Sequence, residues 1–126
     1  MSRVEKIARK FIGGVAQDFN VDPPEVSVSE EEAKKECPHA CGCYDYRRKK
    51  IILSPRCFTL ETLLHEFAHH LQLAKAKGDP YEAYKELSRT HCERPHEVEA
   101  KGFSRGYSSY YSKFYHRMWE EVGREG

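Results

Sequence analysis

His65, Glu66 and His69 stand inside a mostly apolar helical run from Leu60 to Leu73, and nothing else in the 126-residue chain constrains its fold as strongly. Leu60, Leu63, Leu64, Phe67, Ala68, Leu71 and Leu73 recur at helical spacing on more than one side, which predicts a helix that is largely buried. Thr59 is placed to cap its start, and Glu61 falls in the first turn, where the helix dipole favours a carboxylate. Gly78-Asp79-Pro80 is the expected stop. Within the run lie His65, Glu66 and His69. Polar groups are costly to bury unless something pairs with them, so the fold must bring a partner to this face. His70 falls on another face and reads as a bystander.

Four-residue spacing projects the imidazoles of His65 and His69 from one side of the helix, one turn apart, so both can ligate a single zinc ion. Glu66, one step round, sits beside such an ion without ligating it and can act as general base, the arrangement of His65-Glu66-Phe67-Ala68-His69 read as H-E-x-x-H. The bare pattern would arise in about one shuffled copy of this composition in twenty, so its weight comes from the apolar setting. Zinc that does chemistry keeps three protein ligands and one open position. The third must come from elsewhere, and Arg94 to Phe103 offers His96, Glu97 and Glu99 at the start of a long helix. Helical geometry alone does not choose, because Glu97 and Glu99 flank its aromatic stripe on opposite sides at similar angles.

The rest of the chain predicts a small α+β domain spanning residues 1–126. Val4 to Phe19 reads as an N-terminal helix ended by Asp22-Pro23-Pro24. Val26 to Val28, Gly42 to Tyr46 and Lys50 to Leu53 read as the strands of a three-stranded sheet, the last two joined by the basic turn Arg47-Arg48-Lys49. Glu30 to Glu36 is either a loop or a short helix. C-terminal helices follow, over Tyr81 to Arg89 and from Pro95, the latter with a stripe of Ala100, Phe103, Tyr107, Tyr110, Tyr111, Phe114 and Met118 that reads as a core layer.

Composition narrows the setting. Net charge is +1, from 21 basic and 20 acidic side chains, so there is no bulk attraction to nucleic acid or to an anionic membrane. The start of the chain carries charges where a signal peptide needs an apolar run, and no stretch approaches a membrane span; a cytoplasmic protein without membrane contact is expected. Gln17, Gln72 and Asn20 are the only amide side chains, and scarce amides beside abundant Lys, Arg and Glu mark proteins of hot environments. There, disulfides persist inside cells. That bears on Cys37, Cys41, Cys43, Cys57 and Cys92, which admit one or two disulfides, free thiols, or, with His39, a crowded metal site that fits no common zinc spacing. Their pairing and the oligomeric state stay open at this stage.

His65-Glu66-Phe67-Ala68-His69 followed by Glu97-Val98-Glu99-Ala100-Lys101-Gly102-Phe103 resembles the gluzincin branch of the zincin metallopeptidases, and is similar to its minimal forms, the ImmA/IrrE-type proteins and the minigluzincins. The match covers the two motif helices. The resemblance implies a zincin-like fold, one zinc ion held by His65, His69 and Glu97, Glu66 as catalytic base, and hydrolysis of peptide bonds in a peptide or protein substrate. It also implies an edge strand on which an extended peptide adds itself, with Lys50 to Leu53 expected in that place. Tyr107, Tyr110, Tyr111, Tyr115 and His116 are candidate oxyanion donors, and Cys92 a candidate thiol cap for the metal.

One position departs from the family, which usually carries Asp or Asn four residues after the acidic ligand to orient a zinc-bound histidine. Here Lys101 stands there. Orientation must then come from another group, or Glu99 is the ligand; His96 instead would give a three-histidine site. Three other readings compete: a non-catalytic zinc-binding regulatory module of the same fold, a SprT-like DNA-associated protease using the basic surface from Arg47 to Lys50, and a helix whose polar residues pack without metal.

Overall fold

The structure is a computed structural model that describes residues 2–38, 40–75 and 95–125. The predicted helix over 81–89, the stop at Gly78 to Pro80, His39 and Cys92 lie outside these residues. Helix α1 (Arg3–Asp18) buries Ile7, Ala8, Phe11, Ile12, Val15 and Ala16, the three-and-four spacing of one helical face. Ser2 caps its start by accepting from the Glu5 amide. At its end Asn20 takes the left-handed conformation, with φ of 56°, while the Asn20 and Val21 amides bond back to Gln17 and Ala16; this closes the last carbonyls in a Schellman turn. Pro23 and Pro24 then hold the chain extended into β1 (Glu25–Val28).

Glu30–Glu36 is helical and forms α2, capped by Ser29 through the Glu32 amide. Strands β2 (Gly42–Asp45) and β3 (Lys50–Leu53) follow. Asp45 secures their turn by accepting from the amides of Arg47 and Arg48 at 3.0 and 3.2 Å. A 3-10 turn at Pro55–Cys57 leads into α3 (Leu60–Lys75), and α4 (Pro95–Glu125) completes the chain. Thr59 accepts from the Thr62 amide at 3.0 Å, the cap expected of it. The architecture is α+β, as predicted.

The sheet order is β1-β3-β2, with β1 parallel and β2 antiparallel to β3. The expectation that Lys50 to Leu53 forms the edge strand is therefore wrong: β3 is central, and β2 is the edge next to β3 on the α3 side. The physical reason lies in three consecutive residues. Ile51, Ile52 and Leu53 are all fully buried, and an unbroken apolar run suits a strand covered on both faces rather than one at an edge. On one face Val26, Val28, Tyr44, Ile51 and Leu53 join the helical core made with α1, α3 and α4. On the other, Ile52 packs with Ala33 and Cys37 under α2.

Cys37 is disulfide-bonded to Cys43 and Cys41 to Cys57, the two-disulfide arrangement among the alternatives that the sequence left open. Along α4 the aromatic stripe is core only in part. Ala100, Tyr111 and Met118 are buried, Phe103 and Phe114 pack partly against the core, and Tyr110 is 72% exposed. A Cβ on Gly14 would strike the Phe114 ring, so glycine there lets α4 approach α1. Among the described residues no helix is long and apolar enough to cross a membrane.

Candidate metal centre

α3 carries His65, Glu66 and His69, and their ligand atoms all lie within 4.8 Å of one another. The two imidazoles stand edge to face, ring centres 5.0 Å apart, as one helical turn requires. From α4 the Glu97 carboxylate meets both: its Oε1 is 2.5 Å from His69 Nε2 and 3.6 Å from His65 Nε2. Glu97 is thus the acidic residue that packing brings to the histidine pair. Glu99 points elsewhere, its Oε1 accepting from Gln72 at 3.2 Å, and the His96 ring centre lies 5.8 Å from that of His69.

Gln72 holds His69. His69 Nδ1–H donates to Gln72 Oε1 at 2.8 Å. Gln72 Nε2 donates in turn to the His96 carbonyl at 2.8 Å and to Glu99, which orients the amide with its oxygen towards His69. With Nδ1 committed to Gln72, Nε2 is the ring nitrogen that faces Glu97 and His65. The donor set is two imidazole nitrogens and a carboxylate oxygen, the chemistry of a zinc site with an open position, and the residues present fit that ion.

The charges here are interdependent. Burial pushes the Glu66 carboxyl above its ordinary range and Glu97 adds to this, while His69 and His65 pull the other way. Hydrogen bonds from His65 and His69 hold Glu97 well below the usual carboxylate range. For His69, burial opposes the charged form, but Glu97, Glu66 and Gln72 together outweigh it and raise the imidazole.

Glu66 is 8% exposed and lines a cleft of about 440 Å³ with His65, Glu61 and Thr62 of α3. Cys41, Gly42 and Cys57 form another side, and Lys101, Ser104 and Arg105 of α4 the facing wall. None of Tyr107, Tyr110, Tyr111, Tyr115 and His116 lines it. Tyr111 donates to Asp18 Oδ2 at 2.9 Å, and Tyr115 packs on Phe11, Phe58 and Trp119.

Among the described residues a different tyrosine, Tyr46, packs on the cluster, its ring centre 6.0 Å from that of His69. Burial pushes its phenol above the ordinary value, and the charges of Glu66 and Glu97 push it further, so the hydroxyl stays protonated. Tyr46 and Gln72 were both missed by sequence reasoning. Parity with Tyr44, two residues on and just past the end of β2, was the available signal for the first, and the three-residue step from His69 along α3 for the second.

His70 is satisfied apart from the cluster. Its Nε2–H donates to the Asp22 carbonyl at 2.7 Å, and its Nδ1 accepts from the Tyr44 hydroxyl at 2.6 Å; burial pulls its pKa down. In the basic turn, Arg48 reaches Asp45 and Glu36, and Lys50 reaches Glu32, so these two charges already face carboxylates. Comparison with protein-family models, curated proteins and solved structures returns no match to this chain.

Proposed function

We propose that the chain is a zinc-dependent metallopeptidase of the gluzincin type, with His65, His69 and Glu97 as the metal ligands and Glu66 as the base. The observation that carries this reading is the meeting of the Glu97 carboxylate with both α3 imidazoles, beside a buried glutamate that opens onto a cleft. When bound, zinc supplies Lewis acidity, polarising a substrate carbonyl and easing the deprotonation of water.

The remaining work falls to the chain's own residues. Glu66, with a carboxyl raised by burial, accepts the proton of the attacking water and returns it to the departing amine. Tyr46 keeps its phenolic proton beside the two carboxylates and, packed on His69, is placed to hydrogen-bond a developing oxyanion. Gln72 holds the His69 ring.

Substrate binding is assigned to the β2 edge. The Cys41 carbonyl accepts from the Ser54 amide at 2.8 Å, and Gly42 pairs with Leu53. Antiparallel alternation then turns the peptide groups of Gly42 and Tyr44 away from β3. An extended peptide pairs with them as an added strand, and Gly42 already borders the cleft. A cytoplasmic location is part of the proposal, supported by the scarcity of amides and by the disulfides, which together suit a cell interior of a hot environment.

The test is the Glu66→Gln variant with metal analysis. The reading expects about one zinc per chain in both proteins, and peptide cleavage in the wild type alone. Cleavage by the variant removes Glu66 as the base, and a protein that takes up no zinc removes the metal centre.

A further inference from the structure

Glu97, Lys101 and Arg105 follow one another at four-residue steps on α4, so they share one face of that helix. Glu97 turns to the histidines, and Lys101 and Arg105 line the cleft beside them. Glu97 would be the natural helical partner of Lys101, yet its carboxylate is engaged across the interface. Among the described residues neither Lys101 nor Arg105 reaches a carboxylate within ion-pair distance, whereas Arg48, Lys50 and Arg56 each do. Across the cleft the α3 wall offers Glu61 and Thr62 together with His65 and the buried Glu66.

Glu61 also borders a second hollow, of about 750 Å³, where Ser108, Ser112 and Lys113 continue the α4 wall. The two hollows share Glu61 on their α3 side and lie along successive stretches of α4. Their α4 sides present hydrogen-bond donors and positive charge, with Glu61 and the buried Glu66 the acids opposite.

We infer that Lys101 and Arg105 select peptides bearing a carboxylate close to the bond presented to the cluster. The inference rests on the peptidase reading for the nature of the occupant and goes beyond it in naming the substrate class. A flexible ammonium and a planar guanidinium one turn apart can share one carboxylate, the guanidinium through paired N–H donors. That carboxylate is either the side chain of Asp or Glu or a free C-terminus.

The experiment measures binding in the Glu66→Gln protein, with and without zinc, by anisotropy of dansyl-labelled heptapeptides. Three peptides share an uncharged sequence: one has a central Glu and an amidated end, one has Gln there and an amidated end, and one has Gln with a free carboxyl end. The expected result is that one acidic peptide binds about fivefold tighter than the neutral one, with the advantage shrinking at about 0.5 M salt. The peptide that shows it identifies the source of the carboxylate.

Lys101→Gln with Arg105→Gln removes the advantage, and Glu61→Gln enlarges it. Lys101→Glu with Arg105→Glu moves the preference to a peptide with central Lys. Equal binding of acidic and neutral peptides, no binding of either, or an advantage that survives loss of both cations overturns the inference. An advantage that appears only with zinc and ignores Lys101 and Arg105 overturns it too. Since the readout is binding to a variant without its base, it is separate from the zinc and cleavage results that decide the peptidase reading.

Discussion

Replacing Gln72 with alanine isolates the device that orients His69. Gln72 Oε1 accepts the His69 Nδ1–H at 2.8 Å, and its amide nitrogen is anchored by the His96 carbonyl at 2.8 Å and by Glu99 at 3.2 Å. Truncation leaves His69 without the acceptor that sets its tautomer and ring angle. Loss of such a partner typically lowers metal affinity by about 10- to 100-fold, or about 1.4–2.8 kcal/mol. The metal-free fold should suffer less. Gln72 is only partly buried, water can replace it at the His96 carbonyl and at Glu99, and one net hydrogen bond is worth about 0.5–1.5 kcal/mol.

Competition against a chromophoric zinc chelator measures the first quantity, and denaturant unfolding of the metal-free protein the second. Gln72→Glu restores an acceptor to His69 and should recover most of the affinity. If Gln72→Ala binds zinc as tightly as wild type, packing around α3 alone orients the ring and the reasoning fails.

Three further outcomes are expected. Tyr44→Phe removes the hydroxyl that His70 Nδ1 accepts from at 2.6 Å; an unpaired buried acceptor should cost about 1–3 kcal/mol in urea unfolding, and an unchanged midpoint would mean that water fills the gap. Cys41→Ser with Cys57→Ser opens a crosslink of sequence separation 16, and the chain-entropy estimate of about 3 kcal/mol should appear as a lower melting temperature that reducing agent no longer affects through this bond. Glu125 is held down to about 2 by hydrogen bonds from Lys10 and Lys6. A carboxyl depressed in the folded state contributes stability above its unfolded value, so the gap in melting temperature between wild type and Glu125→Gln should narrow as pH falls from about 5 to about 2; a gap independent of pH would show that the bridge between α1 and α4 contributes nothing.

Much of this molecule could be read from local rules. The step of four between His65 and His69, the Thr59 cap, the spacing of Ile7, Phe11 and Val15, and the helix break at Pro23 and Pro24 each depend on residues within a turn or two of one another. Backbone geometry settles such relations before any tertiary contact forms. The same holds for Ile51, Ile52 and Leu53, whose unbroken apolar run marks a central strand, although resemblance to a family suggested the edge.

Other features needed partners distant in the chain. Glu97 and Glu99 are equivalent on an isolated helix; docking of α4 on α3 turns one to the histidines and the other to Gln72. The four paired cysteines were ambiguous because disulfide connectivity depends on which Cα atoms the fold brings to bridging distance, here 5.6 and 5.9 Å. Tyr46 reaches His69 only because the edge strand lies beside α3. Periodicity is a property of one segment and is written in its residues, whereas the facing of one segment by another is fixed by the packing free energy of the whole core, which no local stretch contains.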